Sequence, residues 1–126
     1  ESIPHDWLFP RVATAVHHAG AGTSAAVFRA GIPGIAVPFF GDQNYWAAHA
    51  ARLRTGPQPI ERKRLTAENL ADAIREATTN HDIQKKAADL GQKIRSEDGV
   101  ANAVEILQSD VFGETAKSPR RRVIAP

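Results

Sequence analysis

Two adjacent histidines followed by a glycine-rich stretch form the most chemically suggestive segment of the sequence. Residues 17–24 read His-His-Ala-Gly-Ala-Gly-Thr-Ser and lie between an apolar run and a helix-forming stretch. Glycines let a backbone approach a ligand closely, and the free N–H groups at a helix start favour an anion such as phosphate. Thr23 and Ser24 are expected to cap that helix. The segment therefore predicts a phosphate-binding loop, formed by His18, Gly20, Gly22 and Thr23.

A carboxylate and an amide stand side by side after the next apolar run, as Asp42 and Gln43. A carboxylate accepts hydrogen bonds, and an amide both donates and accepts them, so the pair can bracket neighbouring hydroxyl groups of a sugar. If the two apolar runs are adjacent strands, this loop lies beside the glycine-rich loop. The pair then predicts sugar recognition, whereas an Asp-Gln pair taken alone is usually a turn or a helix cap.

Metal binding and serine hydrolase chemistry find little support in the sequence. His17 and His18 are adjacent on a predicted strand and point to opposite faces, so they are poor joint ligands with His49. The sequence contains no cysteine, and no carboxylate completes a usual ligand set. It also lacks the Gly-x-Ser-x-Gly turn of the α/β hydrolases. We therefore expect no metal site.

The candidate groups need a strand–loop–helix framework, and the sequence predicts one. Unbroken apolar runs at residues 12–16 and 35–39 are typical of strands buried on both faces of a parallel sheet. Between them, residues 23–30 favour a helix. The order strand, loop, helix, strand predicts an α/β fold built on a right-handed βαβ unit. Another helix is expected over residues 45–53.

Three amphipathic helices are expected after residue 60. Thr66 is the expected N-cap of the first, which has an acidic residue in its first turn. Apolar residues repeat at helical spacing in all three, which is typical of faces buried in a core. The predicted core positions are Leu70, Ile74 and Ala77 in the first, Ile83, Ala87, Leu90 and Ile94 in the second, and Val100, Val104, Leu107 and Val111 in the third.

The composition is that of an ordinary globular domain. The 126 residues are 42% hydrophobic and 24% charged and carry a formal net charge of +2. No apolar run is long enough for a membrane span and no signal peptide is visible, so we expect a cytoplasmic location. Because the sequence does not begin with methionine, we expect it to start inside a longer reading frame or to be processed.

The excess of positive charge lies in residues 113–126, which contain four cationic residues and one carboxylate. The remainder is slightly negative, which argues against a nucleic-acid-binding body. We expect a disordered tail over these residues, following a single partial domain over residues 1–112. The alternative for the tail is a weak peripheral contact with an anionic membrane, made by Arg120, Arg121 and Arg122.

Five linked motifs resemble the nucleotide-sugar-binding domain of GT-B glycosyltransferases, in particular the sterol 3-beta-glucosyltransferases and their UDP-glycosyltransferase relatives. The resemblance runs from about residue 3 to residue 107. The motifs are Pro-His-Asp-Trp-Leu-Phe-Pro from residue 4, Val-His-His-Ala-Gly-Ala-Gly-Thr from 16, Gly-Ile-Pro from 31, Val-Pro-Phe-Phe-Gly-Asp-Gln from 37 and Tyr-Trp from 45. The resemblance implies the second half of a Rossmann-like C-terminal domain, with parallel strands and helices, followed by C-terminal helices.

The resemblance also implies a role for each candidate group. The diphosphate of UDP would be held by the glycine-rich loop, through His18, Gly20, Gly22 and Thr23. Hydroxyl groups of the transferred sugar would be held by Asp42 and Gln43. The nucleotide base would lie near Ser2, Ile3, Pro4 and His5. Trp7 would pack the domain rather than stack on the base.

Three positions depart from the family pattern. Relatives usually have glycine in place of Ala19, so its methyl group is expected to crowd the loop. Many relatives have proline in place of Asn44. Plant-type members place a glutamate on the ribose at the position of Ala26, and sterol-type members lack that contact, which favours the sterol branch.

The activity implied by the resemblance is inverting transfer of a hexose, with glucose expected, from UDP-sugar to a sterol or other lipid-like hydroxyl. The catalytic base would belong to an N-terminal domain that the sequence does not include, so no catalytic residue is expected here. UDP-sugar would be the donor substrate, with no cofactor. The chain alone is expected to be inactive and poorly folded. Two alternatives stay open: a non-catalytic or split module that needs a partner chain, and a nucleotide- or phosphate-binding α/β domain unrelated to sugars.

Overall fold

A computed structural model of the chain describes residues 3–112. Ser2 and the predicted tail, with Arg120, Arg121 and Arg122, therefore lie outside the described residues. The chain divides into two compact units, Glu1–Ser96 and Glu97–Pro126. In chain order the elements are α1 (His5–Leu8), β1 (Ala15–His17), α2 (Ala21–Ala30), β2 (Gly34–Ala36), α3 (Gln43–Leu53), α4 (Ala67–Thr79), α5 (His81–Ser96) and α6 (Gly99–Phe112), with 3-10 turns at Phe9–Arg11 and Arg62–Arg64.

The predicted βαβ unit and α/β class are confirmed. Strand β1 pairs in parallel with β2, in a register that sets Ala15 opposite Gly34 and His17 opposite Ala36. The strands are shorter than predicted, at three residues each. Pro33 limits the pairing at one end, because it has no N–H to donate to the residues before β1. At the other end, the N–H of Phe39 donates to the side chain of Gln43 instead of continuing the ladder.

Strand β2 is central and completely buried. On the side away from β1, the N–H of Gly34 donates to the carbonyl of Thr55, and the N–H of Ile60 donates to the carbonyl of Ala36. Residues 55–60 thus lie along β2 without forming a third strand. The side chain of Ile35 is fully buried against helix α4 and Ile60.

Strand β1 does not have both faces buried, contrary to the prediction. Val16 is 48% exposed. Ala15 and His17 direct their backbone groups towards β2, so those of Val16, which alternates with them, point to the other edge. Because β1 pairs only with β2 among the described residues, this edge has no strand partner in the described part of the chain.

The helices predicted from the sequence are present, but two of them start at earlier residues than predicted. Helix α2 begins two residues before the predicted Thr23, and α3 begins at Gln43 rather than at Tyr45. Helix α4 has the expected N-cap: the Thr66 hydroxyl accepts from the N–H of Asn69, and the Asn69 side chain accepts from the N–H of Thr66. No helix among residues 3–112 is both long and apolar enough to cross a membrane.

The predicted core stripes are partly correct. In α4 and α5, Ala77, Ile83 and Ala87 are buried. In α6, by contrast, the apolar positions Val100, Val104 and Leu107 are exposed, and the side chain of Val111 lies outside the described part of the chain. The prediction that these three positions of α6 are buried is therefore wrong.

Helices α2 and α5 pack closely because two glycines meet where they cross. Gly31 ends α2 in the left-handed conformation with φ of 75°. A Cβ atom added to Gly91 of α5 would lie 2.5 Å from the Cα and 2.8 Å from the N of Gly31. Since both atoms belong to backbone, neither can move aside without displacing a helix end.

We predict that Gly91→Ala destabilises the fold by about 2 kcal/mol, because overpacking of this size outweighs the roughly 1 kcal/mol that alanine adds to a helix. Gly99→Ala is the matched control, since a Cβ there meets no atom within 4 Å. It should leave stability unchanged or raise it slightly. Chemical denaturation of both variants checks the prediction, and equal stabilities would contradict the close packing.

Candidate functional site

The two candidate loops lie together at the carboxyl end of the β1–β2 pair. The register His17–Ala36 places the residues after both strands at this edge. Just beyond it, Ala19, Ala36 and Ala47 form a buried cluster against which Trp46 packs. The glycine-rich loop is therefore joined through this cluster to α3, the helix that begins at the Asp42 loop. The structure confirms that the loops are neighbours.

Ala19 shapes the glycine-rich loop by taking a left-handed conformation, with φ of 63°. This conformation costs a non-glycine residue about 1–2 kcal/mol. Two contacts offset the cost: the methyl group is 1% exposed within the alanine cluster, and the N–H donates to Nδ1 of His17 at 3.2 Å. The expectation that this methyl group crowds the loop is therefore wrong, because it points into the core.

His17 supports the glycine-rich loop by accepting a hydrogen bond from its backbone, and it is not placed to contact a bound phosphate or metal. Burial, with a smaller contribution from His18, lowers the pKa of His17 to about 4. The imidazole is consequently neutral at pH 7, and its Nδ1 can accept the hydrogen bond from Ala19. The sequence pattern does not distinguish this structural histidine from its neighbour, although the alternation of a strand predicts that only one of the two faces the core.

His18 is exposed, and its imidazole lies over Gly20. A Cβ atom added to Gly20 would overlap Nε2 of this ring. Gly20 has an ordinary negative φ of −66°, so it is required for space rather than for backbone conformation. The glycine thus allows the His18 ring to lie across the start of α2.

The amino end of α2 has no side-chain cap. Gly20 is the N-cap residue, and the first helical hydrogen bond runs from the N–H of Ser24 to its carbonyl at 2.9 Å. The prediction that Thr23 and Ser24 cap the helix is wrong, because the helix begins earlier and both residues lie within it. A Cβ added to Gly22 meets no protein atom within 4 Å. Ala21 and Gly22 of this first turn are exposed, so a group can approach them from solvent.

Asp42 is exposed and stands at the start of α3. Its Oδ2 accepts a hydrogen bond from Nε1 of Trp46 at 3.0 Å. No hydrogen bond to Oδ1 is made within residues 3–112, so this oxygen can accept from a ligand. Trp46 is a positioning residue: its motif is visible in the sequence but suggested no role, although a spacing of four residues at a helix start indicates the contact.

Gln43 is buried, with 7% of its surface exposed. Its Oε1 accepts hydrogen bonds from the N–H groups of Phe39 at 2.8 Å and Phe40 at 3.2 Å. The carbonyl oxygen is thus occupied by the loop that precedes it. Only the amide N–H groups of Gln43 are left to donate to a ligand. This difference from Asp42 cannot be predicted from the two adjacent residue types.

The residues predicted to lie near a nucleotide base precede and begin α1. Ile3 is exposed. The carbonyl of Pro4 accepts from the N–H groups of Trp7 and Leu8. His5 stacks on Phe9 with ring centroids 4.6 Å apart. His5 also lines a cavity of about 450 Å³ between this segment, α2 and the end of α5. None of the glycine-loop residues lines that cavity.

Trp7 does not pack into the core, contrary to the prediction. Its ring is about half exposed, and the guanidinium of Arg11 lies 4.4 Å from the ring centroid. None of the four residues of the short helix α1 is buried. Phe9 is the residue of this segment that is buried.

His49 belongs to an aromatic contact between helices. Its ring stacks on Tyr45 and meets the edge of Phe28 from α2. Its Nδ1 lies 2.8 Å from a guanidinium nitrogen of Arg52. Among residues 3–112 no group of three His, Cys, Asp or Glu side chains could hold a metal ion.

Comparison with known proteins adds the family to this geometry. Residues 1–109 match the model of the erythromycin biosynthesis protein CIII-like C-terminal domain. The chain is 48% identical over 110 residues to the sterol 3-beta-glucosyltransferase of Candida albicans, and 46% identical over 110 residues to that of Eremothecium gossypii. Each alignment covers 87% of this chain but only 7% and 9% of the two relatives. The chain thus spans less than a tenth of their length.

Solved glycosyltransferases share the fold. The structure of VinC in complex with DTDP aligns with a TM-score of 0.75 and 27% identity, covering 84% of this chain and 27% of VinC. SnogD from Streptomyces nogalater aligns with a TM-score of 0.66 and 24% identity, over 84% of this chain and 29% of SnogD.

The GT-B resemblance is thereby confirmed. The family match covers most of the chain, the relatives are glycosyltransferases, and the βαβ unit carries its glycine-rich loop at the edge that the motifs predict. This chain belongs to the erythromycin biosynthesis protein CIII-like C-terminal domain family and is a C-terminal domain piece of the GT-B glycosyltransferase type.

Proposed function

We propose that this chain forms part of the donor site of a glycosyltransferase that moves a hexose from UDP-sugar to a sterol or similar lipid hydroxyl. The observation that carries the proposal is the open amino end of α2, with the His18 ring beside it and no side-chain cap. The similar glycosyltransferase VinC was solved in complex with DTDP, which supports a nucleoside diphosphate as the ligand class.

The diphosphate would bind at the start of α2. Three N–H groups there, at residues 21–23, precede the first helical hydrogen bond and need acceptors. The helix dipole adds a partial positive charge at the same end, which favours an anion. His18 would donate to a phosphate oxygen, and Gly22 would let the phosphate approach the backbone. The Thr23 hydroxyl would add a further donor.

The sugar would bind beside Asp42. Its Oδ1 can accept from a hydroxyl group while Trp46 holds Oδ2. Gln43 would contribute an amide N–H to the sugar and would mainly hold the loop through its carbonyl oxygen. The base would lie near residues 2–5, including Pro4 and His5. His5 borders a cavity that is also lined by α2, the helix that follows the glycine-rich loop.

The reaction would be a direct displacement at the anomeric carbon. A base from outside this chain would take the proton of the acceptor hydroxyl, and UDP would leave with its charge stabilised at the start of α2. The groups identified here act on the leaving group and on the sugar. They supply orientation and charge stabilisation, which are the donor half of the mechanism.

His18→Ala should weaken UDP binding to the full-length protein by about 1.5–3 kcal/mol, the scale of a hydrogen bond to a charged group. Gly22→Ala should weaken it at least tenfold while raising helix stability by up to about 1 kcal/mol, because alanine is the better helix former. Isothermal calorimetry and thermal denaturation separate the two effects.

His81→Ala is the control for the first variant, because His81 is exposed at the start of α5, outside the candidate loops. Unchanged UDP affinity in both His18→Ala and Gly22→Ala would show that the diphosphate does not bind at this loop.

Asp42→Ala should reduce sugar transfer by at least a hundredfold and leave UDP affinity within about threefold, since Asp42 would contact only the sugar. The Trp46→Phe variant keeps an aromatic ring but removes the indole N–H that donates to Oδ2 of Asp42. It should give a smaller loss of transfer than Asp42→Ala. Steady-state kinetics with UDP-glucose and calorimetry with UDP measure both. Equal losses of UDP and UDP-sugar binding would instead make the Asp42 loop a structural element.

The 126-residue chain alone should transfer no sugar and should self-associate. Within residues 3–112 the outer edge of β1 has no strand partner for its N–H and C=O groups, and Val16 exposes apolar surface there. The same edge favours the alternative of a split module, in which a partner chain would pair with β1. Sedimentation and an activity assay with UDP-glucose and a sterol test this expectation. A stable monomer with a sharp thermal transition would refute the folding half, and turnover would refute the catalytic half.

A further inference from the structure

Two adjacent phenylalanines protrude from the loop between β2 and α3. Phe40 is 74% exposed and Phe39 is 49% exposed. An exposed aromatic ring forgoes the favourable burial that a phenylalanine usually obtains in a core. A neighbouring pair of such rings therefore marks a surface with a partner rather than ordinary surface variation.

Three consecutive cations lie next to this loop. Arg62, Lys63 and Arg64 form the 3-10 turn that follows residues 55–60, and all three are exposed. The guanidinium of Arg62 lies 4.8 Å from the centroid of the Phe39 ring. The two segments border a cavity of about 540 Å³, which is lined by Pro38, Phe39, Asn44, Glu61, Arg62 and Lys63. Glu61 is the one carboxylate among these lining residues.

We call Phe39, Phe40, Arg62, Lys63 and Arg64 the aromatic–basic surface. Both of its segments are anchored from below. The buried oxygen of Gln43 accepts from the N–H groups of both phenylalanines. The amide of Asn69, which also completes the cap of α4, donates to the carbonyl of Arg64 at 2.6 Å. The rings and the cations are therefore presented outward by fixed backbone.

We propose that the aromatic–basic surface docks on a membrane of anionic phospholipids. Cations near an anionic leaflet are attracted to its surface potential, and aromatic rings prefer the interface between headgroups and acyl chains. A soluble phosphate would be served by the cations alone and gives no reason for Phe40 to stand outside the cavity lining. A membrane uses both chemistries at once.

This docking would deepen the proposed function, on which its second half rests. Phe40 is two residues from Asp42, and both follow β2 at the edge that carries the glycine-rich loop. A membrane held at Phe40 would present the hydroxyl of an embedded lipid beside the sugar end of the donor. The docking itself needs no donor and can be measured without catalysis.

The test uses the full-length protein and vesicles of phosphatidylcholine with or without 30% phosphatidylserine, with binding measured by co-sedimentation. The Arg62→Gln/Lys63→Gln variant should bind the anionic vesicles about 20- to 30-fold more weakly, which is the effect of roughly 1 kcal/mol for each cation. Phe40→Ser should lose about five- to tenfold on the same vesicles.

Lys85→Gln/Lys93→Gln is the matched control, because it removes two exposed cations from α5, where no protruding aromatic pair lies beside them. It should lose no more than threefold. A Phe40→Trp variant adds an independent readout, since brominated lipids should quench the new indole in anionic vesicles. If the Arg62/Lys63 pair behaves like the control pair, or the new indole is not quenched, the surface is not a membrane face.

Activity then separates this proposal from the donor site. Arg62→Gln/Lys63→Gln should retain transfer to a water-soluble acceptor and lose transfer to a vesicle-embedded sterol in proportion to its vesicle binding. Unchanged transfer to the embedded sterol would overturn the docking role, whereas failure of the donor-site proposal would be seen with UDP alone in the His18→Ala variant.

Discussion

The parallel pairing of β1 with β2 is the constraint on which the candidate site depends. Three residues on each strand set His17 opposite Ala36, and both chains leave the sheet at the same edge. Pro33 and the diverted N–H of Phe39 confine the pairing to this length, so the loops begin immediately after it. A shift of one residue would turn His17 outward and His18 inward, and would remove both the support of Ala19 and the exposed imidazole.

Local patterns were sufficient to predict the framework of this site. Unbroken apolar runs around a glycine-rich segment predicted the βαβ unit, and the placement of both loops at one edge followed from parallel topology. Thr66 was correctly identified as an N-cap, because its partner lies only three residues away. Each of these features depends on residues close in sequence, so it can be predicted without knowledge of the tertiary structure.

Features that depend on distant contacts could not be predicted from the sequence. The cost of the left-handed conformation of Ala19 is offset partly by packing of its methyl group with Ala36 and Ala47, which lie far away in the sequence. Helices α2 and α3 begin earlier than predicted, after Gly20 and Asp42, and neither of these residues makes the side-chain cap that marks a helix start in a sequence. In α6 the apolar stripe has helical spacing, but spacing alone does not state whether a core is present to receive it.

Gln43 shows how one buried oxygen can hold both sides of a loop. Its acceptor bonds fix the backbone at Phe39 and Phe40, and the same residue begins the helix that carries Trp46. Asp42 lies between these two segments, and its Oδ2 accepts from Trp46. The fold therefore positions the Asp42 carboxylate before any group binds to it. Such positioning in advance is how a binding site lowers the entropic cost of a reaction.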